Sequence, residues 1–116
     1  MTTKALRERL SYWQRRMRLQ DFDIQIKFVT PSEIGQGVVG RCRPDWKNGQ
    51  AMLEILNPKY NKINADGFQN IDLTIVHELT HLLLWPIQKW DDDEESLERQ
   101  LLEQVVEKIS KGLLDI

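Results

Sequence analysis

Apolar residues recur at Leu6, Leu10, Trp13 and Met17, a spacing of three or four that gathers them on one side of a helix. Arg7, Arg9, Arg15, Arg16 and Arg18 fall mostly off that stripe, so Thr3 to about Gln20 is predicted as an amphipathic helix with a solvated cationic side. The period then changes. In "FDIQIKFV" Phe22, Ile24, Ile26 and Phe28 alternate with Asp23, Gln25 and Lys27, which predicts a half-buried strand. "TPSEIGQG" interrupts with Pro31, Gly35 and Gly37, "VVGRCRPDW" gives a less regular second strand ending near Pro44, and "AMLEIL", residues 51 to 56, gives a third. Asn48-Gly49 suits a tight hairpin, which makes strands two and three antiparallel neighbours.

"NPKYNKINADGFQN" reads as a loop, and Asn70 or Asp72 is placed to cap the helix that follows. That helix should stop at Trp85, because Pro86 disfavours helical geometry in its predecessor and has no N–H to donate. Beyond the acidic run "DDDEE", residues 91 to 95, a last helix carries Leu97, Leu101, Leu102, Val105, Val106, Ile109 and Leu113 on one broad face. The acidic run is explained by the helix dipole and by solvation, with a cation site as the alternative. Lys108, Lys111 and Gly112 suit the helix C-terminal end. The expected architecture is α+β, a small and largely antiparallel three-stranded sheet packed with about three helices.

Composition narrows the function. At 116 residues, 41% hydrophobic and 29% charged, the chain fits one soluble domain spanning 1-116. A net charge of -2 provides no global field for a phosphate backbone, so nucleic acid is not an expected partner and the arginines of the first helix are its only support. Cys42 is the one cysteine, which excludes an internal disulfide and a cysteine-rich zinc module and fits a reducing, cytoplasmic setting. The first 20 residues interleave charges with apolar residues, so no signal peptide or membrane span is expected there.

The candidate chemistry lies in "IVHELTHLLLW", residues 75 to 85, which holds both histidines of the chain. Four residues apart on a helix, His77 and His81 sit one turn above each other and can aim ring nitrogens at a single point. Glu78 is offset by about 100° around the axis, so its carboxylate stands beside that point, where it can take a proton from a water. Ile75, Leu79 and Leu82 seat the helix on the sheet and leave the polar trio facing a cleft. A metal would compensate the cost of placing such a trio beside the core. A catalytic zinc usually keeps three protein ligands. No third histidine exists; among the carboxylates of the final helix, a helical wheel puts Glu98 in the middle of the apolar stripe, Glu103 on its margin and Glu107 further out.

"VHELTHLLLW" resembles the active-site helix of zincin metallopeptidases, and the order of elements is similar to that of small gluzincin-like domains encoded by phages and mobile elements. The resemblance implies Zn²⁺ held by His77, His81 and a glutamate followed by apolar residues three, six and ten positions later. Glu103 meets this with Val106, Ile109 and Leu113. Glu98, Glu107 or an aspartate of the acidic run remain the alternatives. The implied activity is peptide-bond hydrolysis with Glu78 as general base, and the implied substrate site is an edge strand above the motif helix, for which 51 to 56 is the candidate. The rival reading is an inactive zincin-like module that keeps a metal for stability or for partner binding.

Other polar residues carry weaker expectations. Thr74 and Thr80 can support the ligands or bond their own helix backbone. Tyr60 can donate to an oxyanion or simply pack. Trp85 and Trp90 are expected to cover the core, and Cys42 to serve as a small apolar strand residue.

Overall fold

The computed structural model describes residues 1 to 60, 70 to 87 and 96 to 116. Among these residues four helices and three strands follow in the order α1 Thr3–Arg16, β1 Asp23–Val29, α2 Pro31–Ile34, β2 Gly40–Asp45, β3 Gln50–Leu56, α3 Ile71–Leu84 and α4 Leu97–Leu114. The fold is α+β with a mixed sheet. No helix among the described residues is long and apolar enough to cross a membrane.

The Thr2 side chain caps α1 by accepting from the Ala5 amide, and Leu6, Leu10 and Trp13 are its buried side. The helix ends sooner than its apolar period suggests, because Arg18 turns to φ 61°. Gln14 then donates its amide to the carbonyls of Leu19 and Phe22, at 2.9 and 2.7 Å, and so steers the chain into β1.

The strand order is β1-β3-β2. β2 and β3 are antiparallel, as the hairpin signal predicts, but β3 runs parallel to β1 with Ile24 opposite Ala51 and Phe28 opposite Ile55. The sheet is therefore mixed rather than largely antiparallel, and the strand at 51 to 56 lies at its centre. An edge role for that strand is overturned, since both of its hydrogen-bonding sides are taken. Its sequence carries the physical reason: "AMLEIL" does not alternate like a half-solvated strand, and Leu53, Glu54, Ile55 and Leu56 are all buried.

Glu54 is buried on the sheet face away from the core and is compensated by two arginines of β2, with Arg41 Nε at 3.0 Å and Arg43 Nε at 2.8 Å from Oε1. The turn between these strands is a short 3₁₀ turn over Trp46–Asn48, closed by Gly49 in the left-handed region at φ 64°. From that turn the Trp46 indole donates to the Leu82 carbonyl at 3.0 Å, which ties the hairpin to α3.

Asn70 caps α3 through the Leu73 amide. Asp72 does other work: it accepts from Arg9 Nε and Nη2 at 2.8 and 2.9 Å and from Trp13 Nε1 at 3.0 Å, fixing α1 against α3. Ile71, Ile75, Val76, Leu79 and Leu82 enter the core with Leu53 and Ile55. α3 stops at Leu84, with Trp85 as its cap and Pro86 next.

α4 departs most from its sequence pattern. Ser96 caps it through the Arg99 amide, yet its buried residues are only Val106 and Ser110. The broad apolar face expected to be covered is exposed at Leu97 (69%), Leu101 (49%), Val105 (47%), Ile109 (39%) and Leu113 (44%). The helix has turned so that Glu103, Val106, Glu107 and Ser110 approach α3, because the two histidines supply partners for carboxylates that an apolar surface could not.

Candidate metal centre

One turn of α3 separates His77 from His81, and their rings stand 5.0 Å apart between centroids. Facing them from α4, Glu103 reaches both: Oε2 is 3.3 Å from His77 Nε2 and Oε1 is 3.1 Å from His81 Nε2. Donor atoms of His77, His81 and Glu103 all lie within 4.8 Å of one another, a group that could hold a metal ion. The spacing fits such an ion. Arms of about 2.0–2.1 Å at tetrahedral angles put neighbouring ligand atoms roughly 3.3 Å apart, close to the two contacts seen here.

Glu107, one turn further along α4, does not join Glu103 at that point. Its Oε1 sits 2.8 Å from His77 Nδ1, on the far side of the same ring. An imidazole whose Nδ1–H is engaged by a carboxylate presents Nε2 as its free lone pair, so Glu107 orients the ring toward Glu103. Glu98 is exposed in the first turn of α4 and lies outside the group. The wheel favoured it because it assumed that the apolar stripe faces the core. The run 91 to 95, like Trp90, falls outside the described residues.

Glu78 is only 8% exposed and is aimed at β2. A Cβ built on Gly40 would stand 3.3 Å from both Cγ and Oε2 of Glu78 and 2.6 Å from Thr74 Cγ2. Only a glycine lets the strand come this close to the motif helix. The sequence reading passed over Gly40, although a glycine inside a strand pattern is the ordinary mark of close approach.

Electrostatics follow from these contacts in the metal-free protein. Burial disfavours a charge on His77, but Glu103, Glu78 and Glu107 outweigh it and raise its pKa from 6.5 to about 9. Hydrogen bonds to His77 and then His81 hold Glu103 far below the usual carboxylate range. Glu78 moves the other way, because burial raises its proton affinity more than the two histidines lower it. Burial, and secondarily Glu78, pushes the Cys42 thiol up to about 12, so Cys42 is a packing residue and not a nucleophile.

The remaining candidates take ordinary roles. Thr74 and Thr80 donate to the carbonyls of Asn70 and Val76 in their own helix, at 3.2 and 2.7 Å. Tyr60 lies in a short 3₁₀ turn at Pro58–Tyr60, 39% exposed, with the Lys59 ammonium over its ring. Trp85 is half-buried at the end of α3.

Comparison with family models, curated proteins and solved structures finds no match to this chain.

Proposed function

We propose that the protein is a zinc-dependent metallopeptidase of the zincin type. The observation that carries this reading is the convergence of His77 Nε2, His81 Nε2 and the Glu103 carboxylate beside a buried Glu78. Two imidazole nitrogens and one carboxylate suit a borderline ion, which favours zinc and leaves a fourth position open. When bound, zinc supplies a Lewis acid that makes a water more acidic and polarises an amide carbonyl.

The chain's own residues supply the proton traffic and the placement. The Glu78 carboxylate accepts the proton of the attacking water and passes it to the amide nitrogen as the C–N bond breaks. A structural metal site has no use for such a non-ligating carboxylate, which disfavours the inactive module.

For the substrate, the edge beside the motif helix is β2. The Leu56 amide donates to the Val39 carbonyl, so by antiparallel alternation the N–H and C=O groups of Gly40 and Cys42 face away from β3. Pro44, which has no N–H, falls in the same outward series. An extended peptide added along Gly40–Asp45 would pass over Glu78.

Replacing Glu78 by Gln tests the reading. Zinc-loaded wild type should cleave members of a diverse peptide library, read as new termini by mass spectrometry. Glu78→Gln should keep its metal and fold and lose roughly 10²-fold or more of the rate. Equal cleavage by both forms, or none by zinc-loaded wild type, would overturn the peptidase.

A further inference from the structure

We infer that α4 is a homodimerisation element, and that its outer face packs antiparallel on the same face of a second copy of this chain. Leu97, Leu101, Val105, Ile109 and Leu113 follow one another at intervals of four, each 39 to 69% exposed, with Glu98 and Lys108 beside the ridge near its two ends. Side chains four apart form a continuous ridge, and two such ridges interdigitate in the commonest mode of helix packing. All five positions are branched aliphatics, which have defined rotamers and pack well.

A second copy suits this ridge for three reasons. The first is symmetry. A twofold axis at Val105 sets that residue against its own counterpart and Leu101 against Ile109, so the centre of the ridge is its own complement. The same pairing directs Glu98 toward the far end of the other helix, where Lys108 and Lys111 stand, and opposes the two helix dipoles.

The second is area. At its centre Leu101, Val105 and Ile109 leave roughly 200 Å² exposed, a contiguous apolar patch of the kind that forms the core of a small homodimer interface. The third is Gly112, seven residues beyond Val105 and therefore on the same side of the helix. α4 continues past it to Leu114, and a Cβ at Gly112 would meet nothing within 4 Å. A helix-interior glycine costs stability relative to alanine. Among the described residues no contact accounts for it, whereas a second helix crossing closely does.

A membrane surface fits less well. Interfacial helices carry a cationic polar side and aromatic anchors, whereas α4 balances three acidic residues with three basic ones and has no aromatic residue. The ridge lies on a different side of α4 from Glu103 and Glu107, so pairing does not depend on the metal site.

Sedimentation velocity across a concentration series is the test. Wild type should form a dimer with a micromolar dissociation constant, with or without zinc. Val105→Asp should be a monomer with unchanged circular dichroism and unchanged zinc uptake. In a Cys42→Ser background, Val105→Cys should form an intermolecular disulfide under mild oxidation, while Gln100→Cys on the other side should not. A wild type that remains monomeric at roughly 300 µM, far above a micromolar constant, overturns the inference. If that monomer floats with anionic phospholipid vesicles and Val105→Asp does not, the ridge is a membrane face instead. A dimer that survives Val105→Asp and gives no Val105→Cys cross-link overturns it as well, since another surface must then hold the copies together.

Discussion

Nδ1 of His77 and Oε1 of Glu107 stand 2.8 Å apart, while Nε2 of the same ring faces Glu103. One residue of α3 is thus held between two carboxylates of α4, which under the proposed function would have different tasks, Glu103 as ligand and Glu107 as orienting partner. Removing an orienting partner typically costs 10- to 100-fold in metal affinity, less than the loss of a ligand. Glu107→Ala should fall in that range for zinc, Glu107→Gln should lose less because its amide oxygen still accepts from Nδ1–H, and Glu103→Ala should lose the most. Competition against a chromophoric chelator ranks all three. A larger loss for Glu107→Ala than for Glu103→Ala would exchange their roles.

A second consequence is the pH dependence of metal uptake. His77 titrates near 9 in the metal-free protein, above its ordinary 6.5, so near neutral pH it is charged and must give up its proton to bind a metal. Zinc affinity should therefore rise with pH up to about 9. Calorimetry at neutral pH in buffers of different ionisation enthalpy should show proton release.

The sign for stability is opposite. Because the folded pKa is raised, the contacts of charged His77 contribute fully below about 6.5 and are lost as pH rises through about 9. Thermal melts of chelator-treated protein should show this decline between those limits, and zinc-loaded protein should not. Equal pH profiles for the two forms would remove the link between His77 and the metal.

The sequence made some of this legible and not the rest, for identifiable reasons. His77, Glu78 and His81 could be read because a helix of known period fixes where residues four apart point. The β2 and β3 pairing could be read from Asn48-Gly49, a local signal. The partner of β1 is a long-range choice, and the only hint of it was the missing alternation in "AMLEIL". The wheel misjudged α4 because it took the centre of the broad apolar face as the buried side, whereas only its margin at Val106, with Ser110, is buried and Leu97, Leu101, Val105, Ile109 and Leu113 are exposed. Glu103 was reached through a family resemblance, and its geometry depends on that rotation of α4.

Gly40 offers a test that requires no metal. Gly40→Ala would place its Cβ 2.6 Å from Thr74 Cγ2 and 3.3 Å from Glu78, and both belong to a packed helix that cannot yield freely. Such overpacking costs about 1–3 kcal/mol. Thr74→Ser removes Cγ2 while keeping the hydroxyl that bonds the Asn70 carbonyl, so the double variant should recover part of the loss. Urea denaturation of the four proteins measures the coupling. Additive effects would mean that the strand does not approach the helix at this point.

The last prediction concerns what holds α4 in place. Its buried side consists of Val106 and Ser110, a small apolar contribution for a helix of 18 residues. Leu114 packs against the main core, and among the described residues Glu103 and Glu107 tie the helix to the two histidines of α3. A metal shared by His77, His81 and Glu103 would join the two helices directly and add its binding free energy to the docked state alone. Hydrogen exchange should therefore change on zinc removal along 97 to 114, by roughly tenfold or more if the docked state loses at least 1.4 kcal/mol. The amides of β3, surrounded by the core, should remain as protected as before. The Val105→Asp variant is the form to use, because it keeps pairing between copies from masking the loss. Exchange in α4 that is indifferent to zinc would show that the helix is held without the metal, and the assignment of Glu103 as a ligand would fall with it.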